Sequence, residues 1–289
     1  MWDRTQRPAY ASRLASVALL SLMPFQSALA HNPLTSRGQD QAAGLLGAVL
    51  LALFWVAYLR GSRRRLPTLP AASLFHATTL LCALALFGPL DDWAQASTAA
   101  HMVQHMLLIV VIAPLWVLSR PLPQIAAGAG RMLIGIWGPI LRLVGRPMVT
   151  AYLHGVAIWF WHTPYFYMVA VNNPWWHAAE HACFVVTAGV FWWAVLKSSE
   201  RNAPWALLAL LLTLMHTGFL GAVLTFAEAP MYGEARGLQD QQLAGLIMWV
   251  VGGIPYILAS AWVGARWYRQ MQRRMDAAGQ GRGGWENRG

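Results

Sequence analysis

Two five-residue motifs, His101-Met-Val-Gln104-His105 and His177-Ala-Ala-Glu180-His181, each open an apolar segment long enough to cross a membrane. An α-helix rises about 5.4 Å per turn, so histidines four apart share a face with their rings roughly 6 Å apart. Imidazole is the commonest metal ligand among side chains, and ionisable groups inside membrane segments are rare and usually functional. Two such pairs on two helices form a donor set of the kind that holds an ion in a bundle core. His162, in Trp161-His162-Thr-Pro164, is a fifth candidate at a matching level of another segment. Imidazole suits copper, zinc, iron and nickel. Glu180 lies between the second pair and can orient a ligating imidazole; Gln104 is its neutral counterpart in the first motif. Met102 and Met106 adjoin the first pair, but successive helical residues point about 100° apart, so they read as packing residues.

The elements that must position these side chains are membrane helices. Of 289 residues, 57% are apolar and 11% charged, where a soluble domain carries about 25% charged residues. A net charge of +10 does not read as a nucleic-acid surface, because the basic residues sit between the apolar runs. Seven spans fit the roughly 20 residues of a bilayer crossing: about 41–59, 70–88, 98–118, 148–168, 177–196, 204–226 and 241–263. Arg60, Arg63, Arg64 and Arg65 follow the first span, Arg120, Arg131, Arg142 and Arg146 the third, Lys197 and Arg201 the fifth, and Arg266, Arg269, Arg273 and Arg274 the last. The other connections carry Arg37 and Arg236 against Asp40, Asp91, Asp92, Glu228 and Glu234. By the positive-inside rule the mature N-terminus is periplasmic and the C-terminus cytoplasmic. Both histidine pairs and His162 then lie at the outer end. The expected fold class is all-α, a polytopic membrane helix bundle of about seven transmembrane helices over residues 31–265.

Residues 1–30 read as a cleaved signal peptide: Arg4, Arg7 and Arg13, then an apolar stretch from Leu14 to Phe25, then Ala28-Leu29-Ala30. Cleavage there leaves His31 at the mature N-terminus. The segment near 131–145 repeats apolar residues at helical spacing beside Arg131 and Arg142, as an interfacial helix does. Residues 266–289 read as a basic, disordered cytoplasmic tail. Elsewhere, His216 sits among Thr213, Thr217 and Gly218 and is a secondary candidate for the site; His76 and His154 read as hydrogen-bonded bridges between helices. Cys82 and Cys183 read as structural thiols. Asp240 opens the last span and reads as an N-cap. A weak repeat with a 76-residue offset aligns His101, Gln104, His105 and Trp116 with His177, Glu180, His181 and Trp192. A parallel two-fold relation of this kind puts the two pairs face to face.

Several of these motifs occur together in one order. His101-x-x-Gln-His105 with Pro114 and Arg120-Pro121, Trp161-His162-x-Pro164, His177-x-x-Glu180-His181 with Trp192-Trp193, and Asp240-Gln241-x-x-Ala244-Gly245 with Trp249 resemble the multi-pass cytochrome c oxidase assembly factors of the CtaG type. The likeness covers about 41–265. It implies a bacterial inner-membrane protein that helps mature a haem–copper oxidase, with copper as the ion and an oxidase subunit, a periplasmic copper donor and the lipid bilayer as partners. No nucleic acid is expected as a partner, and no catalytic residue or turnover is expected. The competing readings are a di-haem b-type electron carrier, a solute transporter and an assembly scaffold without metal.

Overall fold

The computed structural model describes residues 37–286 except 131–134, 136, 137, 140 and 141, with side chains described up to Asp276. The expected signal peptide and His31 lie outside the described residues, as does much of the interfacial helix expected near 131–145; within that segment Leu143–Gly145 forms a 3-10 turn. The described residues form helices joined by short connections, without strands. The order is α1 (Gln39–Ser62), α2 (Leu69–Phe87), α3 (Pro89–Ala96), α4 (Thr98–Met106), α5 (Ala113–Ser119), α6 (Leu122–Ala129), α7 (Pro147–His162), α8 (Pro164–Asn172), α9 (Pro174–Leu196), α10 (Ala203–Thr225), α11 (Leu238–Leu246) and α12 (Gly253–Glu286). Short π-helical segments, Leu107–Ile112 and Ile247–Val251, join α4 to α5 and α11 to α12.

Six of the resulting rods are long and apolar enough to cross a membrane. The seventh expected span, 148–168, is divided. Thr163 is extended (ψ 142°) between α7 and α8 because Pro164 follows it and disfavours helical backbone at the preceding residue. Pro164 then opens α8, where its missing N–H leaves no bond unmade. The C-terminal segment also departs from expectation. Instead of a disordered tail from 266, α12 continues to Glu286. Arg266 anchors this extension. Its guanidinium donates to the Leu196 carbonyl (2.8 Å) and the Ser198 carbonyl (2.7 Å), neutralising the C-terminal end of α9. Arg274 pairs with Glu200, in the same connection as Ser198.

The bundle is polar inside and greasy outside. Leu46, Leu50, Leu53, Leu211 and Phe219 are exposed, whereas His101, Gln104, His105 and Glu180 are wholly buried. An exposed apolar surface of this extent belongs against lipid. Helix α9 runs through the middle, packing on α7, α5, α8 and α1. Its Phe184, Ala188, Phe191, Trp192 and Val195 supply much of the core.

The π segments sit just before Pro114 and Pro255. A proline ring inside an α-helix clashes with the carbonyl four residues back, and a wider turn makes room for it. In the first segment the Ala113 amide bonds five residues back, to Leu108. Continuing that register, the Ile109 carbonyl would look to residue 114, a proline with no N–H. The buried Trp192 indole takes its place, donating to Ile109 at 2.7 Å. Thus the break in the first histidine helix is tied to the second histidine helix.

On the other side, α10 and α11 touch backbone to backbone. A Cβ at Gly245 would lie 2.5 Å from the Gly221 carbonyl and 2.6 Å from the Thr225 amide. Gly245→Ala should therefore destabilise the purified protein by about 1–3 kcal/mol, the usual range for overpacking. Gly189→Ala, which meets open space on α9, should be neutral or stabilising by up to about 1 kcal/mol. Thermal unfolding in detergent checks both; equal melting temperatures would mean that α10 and α11 are not in this contact.

Candidate metal centre

Both histidine helices begin with a defined cap four residues before their first histidine. Ser97 accepts from the Ala100 amide at 3.1 Å. Asn173 accepts from the Trp175 and Trp176 amides at 3.0 and 3.3 Å. The 76-residue offset of the repeat thus extends to the caps. Asp240, expected to cap its own helix, instead caps α4 from across the bundle. It accepts from the Ser97 hydroxyl at 2.8 Å and takes the Thr98 amide on its other oxygen. A carboxylate at the positive end of a helix is favourable on charge as well as hydrogen bonding.

With their starts fixed, α4 and α9 bring the two motifs together. Ring centroids of His101 and His105 lie 4.2 Å apart, as do those of His177 and His181. Across the helices His101 is 5.2 Å from His177, and His105 is 5.6 Å from His181. Glu180 lies at the meeting point. Its two carboxylate oxygens face Nε2 of His101 and Nε2 of His105, each at 3.6 Å. Neither oxygen has a partner within hydrogen-bonding distance, nor do the ring nitrogens of His101 and His105. Two overlapping triads result, His101 with His177 and Glu180, and His105 with Glu180 and His181, each with donor atoms within 4.8 Å of one another. Nitrogen and oxygen ligands of one tetrahedral ion, at bonds of roughly 2.0–2.2 Å, sit about 3.4 Å apart. The separations are too long for hydrogen bonds and close to those of shared ligands.

Burying a carboxylate without hydrogen bonds is costly, several kcal/mol for a polar group and more for a charge. Glu180 is wholly buried, so a cation or a proton among these imidazoles must balance it. The donor set fits a borderline divalent or soft monovalent metal equally well as ligands.

His162, the last residue of α7, joins the same cluster. Its ring lies 5.5 Å from that of His105. Nδ1 contacts the Ile158 carbonyl at 2.8 Å, while Nε2 points at Sδ of Met102, 3.4 Å away. Gln104 faces the other way. Its amide donates to the Ala85 carbonyl and to Asp91, both at 2.8 Å, tying α4 to α2 and α3. Burial pushes the Asp91 carboxyl up to about 7, with the Gln104 bond opposing and Asp92 adding to the rise. His216 is not brought to the cluster; it packs over Gly155 on α7, where an added Cβ would stand 3.0 Å from its Nε2. His154 bonds Thr187 on α9 at 2.9 Å, and His76 accepts from Trp55 on α1 at 2.8 Å. Cys82 and Cys183 are both free thiols.

A cover over the cluster has no clear sequence signal. Tyr232, in the connection between α10 and α11, donates to the His162 carbonyl at 2.9 Å and stacks on Tyr167 at 3.9 Å. Burial raises the Tyr232 phenol, so it stays a neutral donor. Arg236 locks this connection down, donating to the Tyr167 hydroxyl at 3.1 Å and to the Gln95 carbonyl. The motif helices were legible because histidine repeats at helical spacing; Tyr232 and Arg236 lie in a loop, where spacing carries no such information.

Fold and site together describe a polytopic membrane protein with a dry histidine–glutamate cluster at one end of its bundle. The profile of the cytochrome c oxidase caa3 assembly factor family matches residues 52–270. The chain belongs to that family. It is also similar to an uncharacterized protein of Mycobacterium leprae (strain TN), 28% identical over 258 residues that cover 78% of this chain and 38% of that protein. The chain thus spans well under half the length of that relative. No solved structure matches the chain.

The trans cap gives a test that does not depend on any ligand. Asp240→Ala should speed amide exchange at Thr98 and Ala99 and destabilise the protein by about 0.5–2 kcal/mol, the range for losing a cap. Hydrogen-exchange mass spectrometry of residues 97–106 reads this directly. Unchanged exchange there would show that Ser97 alone holds the helix start.

Proposed function

We propose that this protein binds copper in the histidine–glutamate cluster and passes it to a subunit of the oxidase. The observation that carries the reading is Glu180, a wholly buried carboxylate whose oxygens meet two imidazole nitrogens at 3.6 Å, with no hydrogen bond to either oxygen. Such a group calls for a cation, and five imidazoles around it supply the neutral ligands copper prefers. Transfer would proceed by ligand exchange, with dioxygen chemistry left to the oxidase and no turnover by this chain. The arginines gathered at the opposite end of the helices support an inner-membrane orientation with the cluster on the periplasmic side, open to a copper donor there. A macrocycle is disfavoured by rings packed 4.2–5.6 Å apart, and an ion is not.

Copper per mole of detergent-purified protein, loaded under reducing conditions, tests this. Wild type should hold at least one equivalent. Both Glu180→Gln and the double variant His105→Ala with His181→Ala should lose most of it, and cells carrying them should accumulate oxidase lacking copper. Wild-type protein with copper at background would replace delivery by a purely structural cluster, balanced by protons.

A further inference from the structure

When the His162 ring is neutral, its contact with Met102 joins two acceptors. A carbonyl only accepts, so the 2.8 Å contact to Ile158 requires the proton on Nδ1 of His162. In a neutral imidazole that leaves Nε2 with a bare lone pair. The lone pair faces Sδ of Met102 at 3.4 Å, and thioether sulfur is itself only a weak acceptor. Both residues are buried, at 3% and 0% exposure. Two electron-rich atoms aimed at one another in a dry interior gain little from the meeting, whereas a soft cation bound by both gains two bonds. A backbone carbonyl on the far nitrogen is also the usual way a ligating imidazole is oriented.

A third donor stands beside them. The His105 ring lies 5.5 Å from that of His162, edge-on at 76°, and neither of its nitrogens has a hydrogen-bond partner. Nitrogen and sulfur ligands on one ion, at bonds of roughly 2.0–2.3 Å, lie about 3.5 Å apart, which the 3.4 Å contact matches. Phe184 closes the site, its ring 4.8 Å from His105 and 5.8 Å from His162.

We infer that Met102, His162 and His105 form a second, soft metal site that takes monovalent copper, adjoining the Glu180 donors and sharing His105 with them. The two sets differ in chemistry. Thioether and neutral imidazole bring no charge and select Cu(I), whereas carboxylate with imidazole also accepts a divalent ion. Because His105 belongs to both, an ion can exchange one ligand set for the other without entering water. The exchange breaks and forms only metal–ligand bonds, and the ion keeps its oxidation state. The choice of copper rests on the function proposed above; the softness of the site does not.

Silver(I) is a redox-inert soft probe for the test, with zinc(II) reporting on the Glu180 donors. Competition titrations on full-length protein in detergent should show at least a tenfold loss of silver affinity in Met102→Leu, which conserves volume. Met106→Leu should bind silver as wild type does, since Met106 instead packs towards Gly252. Zinc binding should be unchanged in Met102→Leu and lost in Glu180→Gln. Unaltered silver affinity in Met102→Leu would overturn the site. Should that variant fail to fold, X-ray absorption of wild type with one equivalent of Cu(I) decides: a sulfur neighbour supports the site, and nitrogen and oxygen alone overturn it. Silver bound through Met102, with neither copper nor zinc on the Glu180 donors, would remove the function proposed above and leave this inference standing.

Discussion

A carboxylate sealed inside a lipid-clad bundle must be balanced by positive charge, and this requirement organises one whole end of the molecule. Glu180 has no exposure and no hydrogen bond to its oxygens. Water, which would solvate it at a protein surface, is kept out by rings packed on its histidine neighbours, Tyr167 on His101 and Phe184 on His105. In so dry a setting electrostatic interactions are strong in both directions: an unbalanced charge is very unfavourable, and a balanced one is held firmly. The convergence of His101, His105, His177 and His181 on a single acid is therefore the arrangement that makes the acid tolerable.

Such convergence needs helices held in fixed register, and the sequence provides this by tying each local irregularity to a neighbour. Ser97 and Asp240 together fix the start of α4, so that α11 sets the position of His101. Pro114 forces a π turn after His105, and the carbonyl it leaves without a backbone partner binds Trp192 of α9. Pro164 splits what would have been a longer rod and leaves His162 as the terminal residue of α7, facing α4 instead of continuing into a span. Close backbone contact at Gly221 and Gly245 brings α10 against α11, which carries Asp240. Prolines and glycines that would weaken an isolated helix here act as joints between helices.

The sequence made the membrane class, the pairing of the two motifs and the family legible, because each depends on features that repeat along the chain: apolar runs of spanning length, charges between them and histidines at helical spacing. It misjudged features that depend on what lies across the bundle. Asp240 precedes its own helix in sequence, yet in space it caps another. Gln104 occupies the position matching Glu180 in the repeat, yet it turns to Asp91 and the Ala85 carbonyl. Helical spacing put Met102 on a face away from its histidine neighbours, and that holds for α4 alone; His162, arriving from α7, meets it there. The span at 148–168 ends early, at His162, for a local reason that the sequence does contain, the effect of Pro164 on Thr163. Arg266 continued the last helix by binding the end of α9, a contact visible only once both ends lie side by side.

An assembly factor that carries an ion must release it as well as hold it, and a buried, charge-balanced cluster favours holding. Under the proposed function, the cover over this cluster is where release would be cheapest. It is a loop, held by a few polar contacts: Tyr232 to the His162 carbonyl, and Arg236 to Tyr167 and the end of α3. Each of these is worth only about 0.5–1.5 kcal/mol net, or roughly twice that where the guanidinium is involved. The helices beneath are joined by large buried side chains and capped ends. Opening therefore starts at the loop, while α4 and α9 keep their donors in place. Under the proposed function an oxidase subunit that displaced Tyr232 would loosen the carbonyl next to His162, the one imidazole supplied by neither motif helix, before it disturbed Glu180. The uncharged ligand set would then give up its ion first, and the charged set would hold its own until the cover was fully removed.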